Sequence, residues 1–280
     1  INIIKYTKKI AIANKETIIC AWNLIKKELK KNKTFFIPVD SEHFSLWYAI
    51  QNLPTNKIEK IYLTASGGPF LNLPKNKFKK IKLSDALKHP NWRMGKKISI
   101  DSATMINKVF EVIEAKKIFN LNLKQFEILL HPDSYVHAIV KFKNGLTKIL
   151  IHDTDMKIPI FNSIRSELNK ISYKSKSIDV KKLNQLNFKK VNKKKFPLKK
   201  ILNILPKKNS LFETVLVSAN DELVNLFLNK KIKFTSISKM LLSVINDKNF
   251  NKYKRIQPRN INDIKHLNEY VRLKIKSKSI

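Results

Sequence analysis

Between Ile98 and Glu114 the chain carries an amide, an ammonium and a carboxylate at helical spacing. Asn107, Lys108 and Glu111 stand at i, i+1 and i+4, which places them on one face of a helix. Met105, Val109, Val112, Ile113 and Phe119 form the apolar stripe opposite. Ile98 and Ile100 are β-branched and predict a short strand that stops at Asp101-Ser102. Ser102 or Thr104 then falls where a helix N-cap belongs, and the first turn of a helix offers unpaired N–H groups to an anion. The chemistry on offer is anion binding beside a carboxylate; the competing reading is a solvated helix face.

Two further groups extend that chemistry. Asp40 and Glu42 stand two apart at the end of a β-rich run, and alternation would turn both to one side. With Glu111 they make a hard-cation site of three carboxylates, unless Asp40-x-Glu42 is a solvated turn. Ser66-Gly67-Gly68 places two of only four glycines side by side. That pairing predicts positive φ or close approach of the backbone to a ligand. Ser66, Ser102, Asn107 and Lys108 thus read as a phosphate cradle, and the carboxylates as a seat for a divalent ion.

The elements that must position these residues alternate. A strand at 9–13 breaks at Asn14-Lys15-Glu16-Thr17, and a helix follows through about Lys30. Thr34–Val39 is a strand, Phe44–Leu53 a helix and Ile58–Thr64 a strand. Residues 71–97 form a long connection containing His89-Pro90-Asn91-Trp92-Arg93-Met94-Gly95, which reads as a functional flap. Phe126–Leu130 is a strand, and Tyr135–Phe142 and Leu146–Ile151 flank Asn144-Gly145 as a hairpin. The fold class is α/β with a mixed sheet, followed by an α-helical C-terminal domain. Four segments are expected: 1–33, a remnant of a nucleotide-binding domain; 34–160, catalytic; 161–195, a linker; and 196–280, helical. Within the last, Leu198–Leu205, Leu211–Leu228 and Phe234–Val244 are helices, and the basic tail to Ile280 frays or is partly helical.

The chain has 280 residues, 43% hydrophobic, enough for a sizeable core. It shows no apolar run of membrane-spanning length and no targeting segment. It starts at Ile1 inside patterned sequence and reads as a piece of something longer. Its single cysteine, Cys20, sits in an apolar helical run and reads as buried packing in a reducing compartment. The net charge of +36 is overwhelmingly lysine, interleaved with Asn and Ile along the whole chain. It reads as drift on a solvated surface, with a basic nucleic-acid-binding module as the alternative. His131, His137 and His152 lack a partnering cysteine and read as hydrogen-bonded histidines. Trp22 and Trp47 read as core or interface residues, and Lys193-Lys194-Lys195 as a solvated linker.

In order and spacing, five segments resemble the 1-deoxy-D-xylulose 5-phosphate reductoisomerases. They are Ala13–Glu16, Pro38–His43, Ala65–Phe70, His89–Gly95 and the 98–114 run. The resemblance is specific through about residue 160 and weaker beyond, where Phe196-Pro197 and Ser218–Asp221 correspond. It implies that Asp40, Glu42 and Glu111 bind Mg²⁺ or Mn²⁺. Lys15, Ser41, Ser66, His89, Ser102, Asn107 and Lys108 would contact substrate, with Ser66, Ser102, Asn107 and Lys108 around its phosphate. Trp92 and Met94 would belong to the closing flap, and Asn14, Glu16 and Gly95 would touch NADPH. The implied reaction is a metal-assisted retro-aldol and aldol rearrangement followed by hydride transfer. A homodimer in the bacterial cytoplasm or a plastid-type organelle is also implied, with neither nucleic acid nor membrane as partner.

The chain departs from that family in four places. It has no Gly-rich dinucleotide fingerprint. Val109 stands where the family has glycine, Asp133 where it has glutamine, and Lys208–Phe212 replaces a Gly-rich turn. A decayed relative is therefore a second alternative, and the survival of every presumed ligand argues against it.

Overall fold

A computed structural model describes residues 1–165 and 173–278. Part of the expected 161–195 linker, residues 166–172, lies outside the described residues, as do 279–280. The chain opens with β1 (Lys9–Ile12), α1 (Lys15–Lys31) and β2 (Phe35–Pro38). The two strands pair in parallel as a separate two-stranded sheet, so a βαβ unit spans the expected boundary at 33/34. There follow α2 (Ser41–Ala49), β3 (Ile58–Ala65), α3 (Leu83–Ala86), α4 (Lys96–Thr104) and α5 (Ile106–Ile118). Next come β4 (Phe126–Leu130), β5 (Val136–Phe142), β6 (Thr147–Ile151), α6 (Lys157–Arg165), α7 (Val180–Asn184) and β7 (Lys189–Lys190). The C-terminal region is α8 (Phe212–Leu228), α9 (Phe234–Ile245), α10 (Lys248–Asn251) and α11 (Ile261–Ser277).

The main sheet has the order β6-β5-β3-β4-β7, with β3 and β4 parallel and the other pairs antiparallel. It is the expected mixed sheet, and the Asn144-Gly145 turn joins β5 to β6 with Gly145 at φ 88. α5 is the central element. Met105, which caps it, and Val112, Ala115 and Phe119 pack on the sheet with Ile61, Leu63 and Ile128. Ile106, Val109, Phe110 and Ile113 pack on α8 and α9. A helix buried on both sides can carry polar groups only where they find partners. Val109 is fully buried among these apolar residues.

Several expectations change. Ile98 and Ile100 lie in α4 and not in a strand, because Ile100 and Ser99 are buried in tertiary contacts that override β propensity. The break comes at Met105, whose left-handed φ of 68 ends α4 and starts α5. Ser102 and Thr104 therefore close α4 and do not cap the following helix. The basic tail is ordered as α11, which buries Leu267, Val271 and Ile275 at i, i+4 and i+8. Leu198–Leu205 is a 3-10 stretch over Pro197–Asn203. The segment read as linker contributes β7, and Lys195 is no free solvated side chain: it donates to the carbonyls of Leu71 and Leu73, at 2.5 and 2.7 Å. Cys20 and Trp22 are buried as expected. No helix among the described residues is long and apolar enough to cross a membrane.

Candidate active site

One cavity of about 570 Å³ lies between β2–α2, the β3 loop, α4–α5 and the 89–95 segment. Every candidate residue named from the sequence lines it: Asn14, Lys15, Glu16, Asp40, Ser41, Glu42, Ser66, His89, Trp92, Met94, Gly95, Ser102, Asn107, Lys108 and Glu111.

Asp40 and Glu42 converge through a helix start and not through strand alternation. Asp40 caps α2, its carboxylate accepting from the Glu42 N–H at 3.3 Å, and Glu42 sits in the first turn. α5 brings Glu111, and one oxygen of each carboxylate lies within 4.8 Å of the others. Lys108 Nζ sits 2.5 Å from Glu42 Oε1 and also pairs with Glu111. Asn107 Nδ2 donates to Glu111 Oε1 at 2.5 Å, and Ser41 Oγ donates to Glu42. Lys15 Nζ donates to Asp40 Oδ2 at 2.5 Å and lies 3.3 Å from Glu114 Oε2. Two residues of the expected phosphate cradle, Asn107 and Lys108, thus lie directly on the carboxylates.

Asp40, Glu42, Glu111 and Glu114 face the ammonium groups of Lys15 and Lys108, and the His43 ring lies 3.5 Å from Asp40 and 3.8 Å from Glu114. Burial pushes the Glu111 carboxyl up to about 8, with the charge of Glu42 adding to it against Lys108 and Lys15. Burial likewise pushes Glu114 up to about 7. Against the cost of burial, Lys15 holds Asp40 well below the usual carboxylate range, and Lys108 holds Glu42 down. Burial opposes protonation of Lys15 and Lys108, but the carboxylates raise both above the ordinary lysine value. Three carboxylates that share two ammonium groups offer hard oxygen donors that fit one divalent ion, which would take the place of the proton that burial favours on Glu111. A second group, Asp40, His43 and Glu114, is also close enough to ligate. The Lys15 ammonium already lies against two of its members, and neither His43 nor Glu114 lines the cavity.

The β3 loop supplies the neighbouring wall. Gly67 and Gly68 have φ of 86 and 65, and a Cβ on Gly68 would come within 3.0 Å of the Ser102 carbonyl and 3.1 Å of Ala103 Cα. Glycine there lets the loop press on α4 at Ser102, and Ser66 and Ser102 both line the cavity. His89 Nδ1 accepts from the backbone N–H groups of Trp92 and Asn91, at 3.0 and 3.2 Å. Its proton therefore sits on Nε2, which donates to Ser66 Oγ at 3.0 Å. Burial, reinforced by Lys108, lowers His89 to about 4 and keeps it neutral. Ser66 Oγ also accepts from the Gly68 N–H at 3.1 Å, so its own hydroxyl hydrogen is left for another acceptor.

Sequence reasoning gave no site role to several residues in and around the cavity, Ser134 and His137 among its lining. Asn91 Nδ2 donates to the Pro132 carbonyl and to Ser134 Oγ, at 2.5 and 2.9 Å, and so fastens the 89–95 segment. Trp92 of that segment meets the edge of His137, which stacks on His152 at 3.7 Å between centroids. His131, His137 and His152 are hydrogen-bonded to the carbonyls of Asn187, His152 and Asp153. No metal-binding group among the described residues includes them. Glu114 carried no signal of its own, being one of several charged positions on α5.

The chain matches two family profiles: the 1-deoxy-D-xylulose 5-phosphate reductoisomerase C-terminal domain over residues 36–119, and the DXP reductoisomerase C-terminal domain over 151–274. It is 65% identical over 280 residues to the 1-deoxy-D-xylulose 5-phosphate reductoisomerase of Pelagibacter ubique, covering 100% of this chain and 72% of that protein. It is 40% identical over 250 residues to the Sulfurihydrogenibium enzyme of the same name, covering 89% of this chain and 65% of that one. A crystal structure of DOX-P reductoisomerase in complex with NADPH, fosmidomycin and magnesium superposes with a TM-score of 0.89 at 31% identity. That match covers 99% of this chain and 71% of the other. The Zymomonas mobilis enzyme in complex with NADPH gives 0.84 at 30% identity, covering 99% and 70%.

Proposed function

Because the chain belongs to the 1-deoxy-D-xylulose 5-phosphate reductoisomerase family, we propose that residues 1–280 supply the metal- and substrate-binding machinery of that NADPH-dependent reaction. The product would be 2-C-methyl-D-erythritol 4-phosphate. The observation that carries this reading is the convergence of Asp40, Glu42 and Glu111, in one cavity with Ser66, Ser102, Asn107 and Lys108.

Asp40, Glu42 and Glu111 would hold Mg²⁺ or Mn²⁺. When bound, such an ion polarises a ketone and stabilises oxyanion charge during carbon–carbon cleavage. Lys15 keeps Asp40 ionised and presents its ammonium to a substrate hydroxyl. Once Glu42 and Glu111 are neutralised, Lys108 and Asn107 are free to turn to the substrate phosphate. Ser66 donates to that phosphate the hydroxyl hydrogen that His89 and Gly68 leave unused, and Ser102 donates beside it. Holding the phosphate lets remote binding energy orient the reacting end. Trp92 and Met94, on the 89–95 segment, exclude water from it.

On the cofactor side, Asn14, Glu16 and Gly95 form part of the cavity wall but supply no Gly-rich turn for a pyrophosphate. The parallel β1–α1–β2 unit supports reading the N-terminal part of the chain as the edge of a dinucleotide-binding domain that runs past residue 33 into β2. A polypeptide of residues 1–280 with Mn²⁺ is therefore expected to bind 1-deoxy-D-xylulose 5-phosphate by calorimetry, yet to leave NADPH absorbance unchanged. Joining a dinucleotide-binding domain upstream should produce NADPH consumption. Failure to bind the substrate with Mn²⁺ present would reject the assignment. NADPH consumption by the 280 residues alone would show that the cofactor sits within them.

A further inference from the structure

A second cluster of charge, partly buried, lies at the start of α4. Lys97 pairs with carboxylates from three elements: Glu16 of α1, Asp101 of α4 at 3.0 Å and Asp221 of α8 at 3.1 Å. Asp101 is 2% exposed and also accepts from Asn220 Nδ2 at 2.8 Å. Asp221 accepts from Arg272 Nη2 of α11 at 2.9 Å, while Nη1 lies 3.4 Å from Glu222. These contacts run unbroken from α11 through α8 to α4 and α1.

Their position matters because α4 begins where the cavity-lining 89–95 segment ends. The other end of that segment is fastened by Asn91 to Pro132 and Ser134. At its C-terminal end, Gly95 caps α4 without a side-chain hydrogen bond, and a Cβ there would meet nothing within 4 Å. Gly95 is held to α4 through its carbonyl, which accepts from the Ser99 hydroxyl and N–H at 3.0 and 3.1 Å. The Lys97 ion pairs, from the second residue of α4, tie this junction to the rest of the molecule.

We propose that Lys97 is a positioning residue that fixes the C-terminal end of the 89–95 segment at the cavity, and that α11 sets its grip through Arg272 and Asp221. Three carboxylates gather around one ammonium only while their mutual repulsion is offset, and Arg272 supplies the second cation. Without it Asp221 leans on Lys97 alone, and the start of α4 opens more often. That the segment covers a substrate rests on the proposed function; the fastening does not.

Lys97 lines the cavity and Arg272 does not, so Arg272 separates fastening from ligand contact. The test is amide hydrogen exchange, read by mass spectrometry on the chain without ligands, for Arg272→Met, Arg272→Lys and Asp221→Asn. Exchange over residues 90–99 is expected to accelerate about tenfold or more in Arg272→Met and Asp221→Asn. Arg272→Lys should recover most of the protection, and β3 should keep its original rate. Acceleration confined to α8 and α11, or spreading equally to β3, would overturn the proposal. Neither metal, substrate nor NADPH enters the measurement, so an error in the substrate assignment leaves its outcome unchanged.

Discussion

Glu111→Gln is expected to lower Mn²⁺ affinity at least tenfold, about 1.4 kcal/mol by calorimetry. The substitution keeps the shape and the acceptor that Asn107 uses, and removes one of three anionic ligands. It also relieves a crowded set of buried carboxylates, so the fold should be no less stable than the unsubstituted chain without metal. Glu111 and Glu42 are like charges held close in a buried site, an arrangement that costs free energy unless a cation joins them. A loss of thermal stability together with unchanged Mn²⁺ affinity would mean that Glu111 only anchors Lys108 and Asn107.

Lys108→Met should act on two ligands in opposite directions. Affinity for the phosphorylated substrate should fall roughly tenfold to a hundredfold, since a hydrogen bond to a charged group contributes about 1.5–3 kcal/mol. Mn²⁺ affinity should instead rise, by roughly tenfold, because the ammonium that now neutralises Glu42 and Glu111 is gone. Calorimetry with each ligand separately checks both signs. If Mn²⁺ binding weakened along with substrate binding, Lys108 would be holding the carboxylates in place and not competing for them.

The site was more legible than the path of the chain through it. Spacing put Asn107, Lys108 and Glu111 on one face of a helix, and they meet there. Local pattern misplaced the elements around them. Ile98 and Ile100 favour a strand by side-chain type, but burying Ile100 in the helical core decides for α4. Asp40 and Glu42 converge because Asp40 caps a helix, which an alternation argument does not anticipate. The stripe Leu267, Val271 and Ile275 was present in the sequence, under a lysine-rich surface that masked a docked helix. Lys97 could not be read at all. Its partners come from α1 and α8, and only the tertiary fold brings Glu16 and Asp221 to one ammonium. The same holds for Glu114, whose partner Lys15 lies on another helix.

The central claim is that a divalent ion sits on the carboxylates of Asp40, Glu42 and Glu111. Anomalous diffraction from crystals soaked in Mn²⁺ tests it most directly. One strong peak is predicted between these three carboxylates, at roughly 2.0–2.2 Å from an oxygen of each, as hard-cation coordination requires. Lys108 should have swung off Glu42. A peak seated instead among Asp40, His43 and Glu114, or no peak at Mn²⁺ concentrations that saturate the calorimetric signal, would contradict the account.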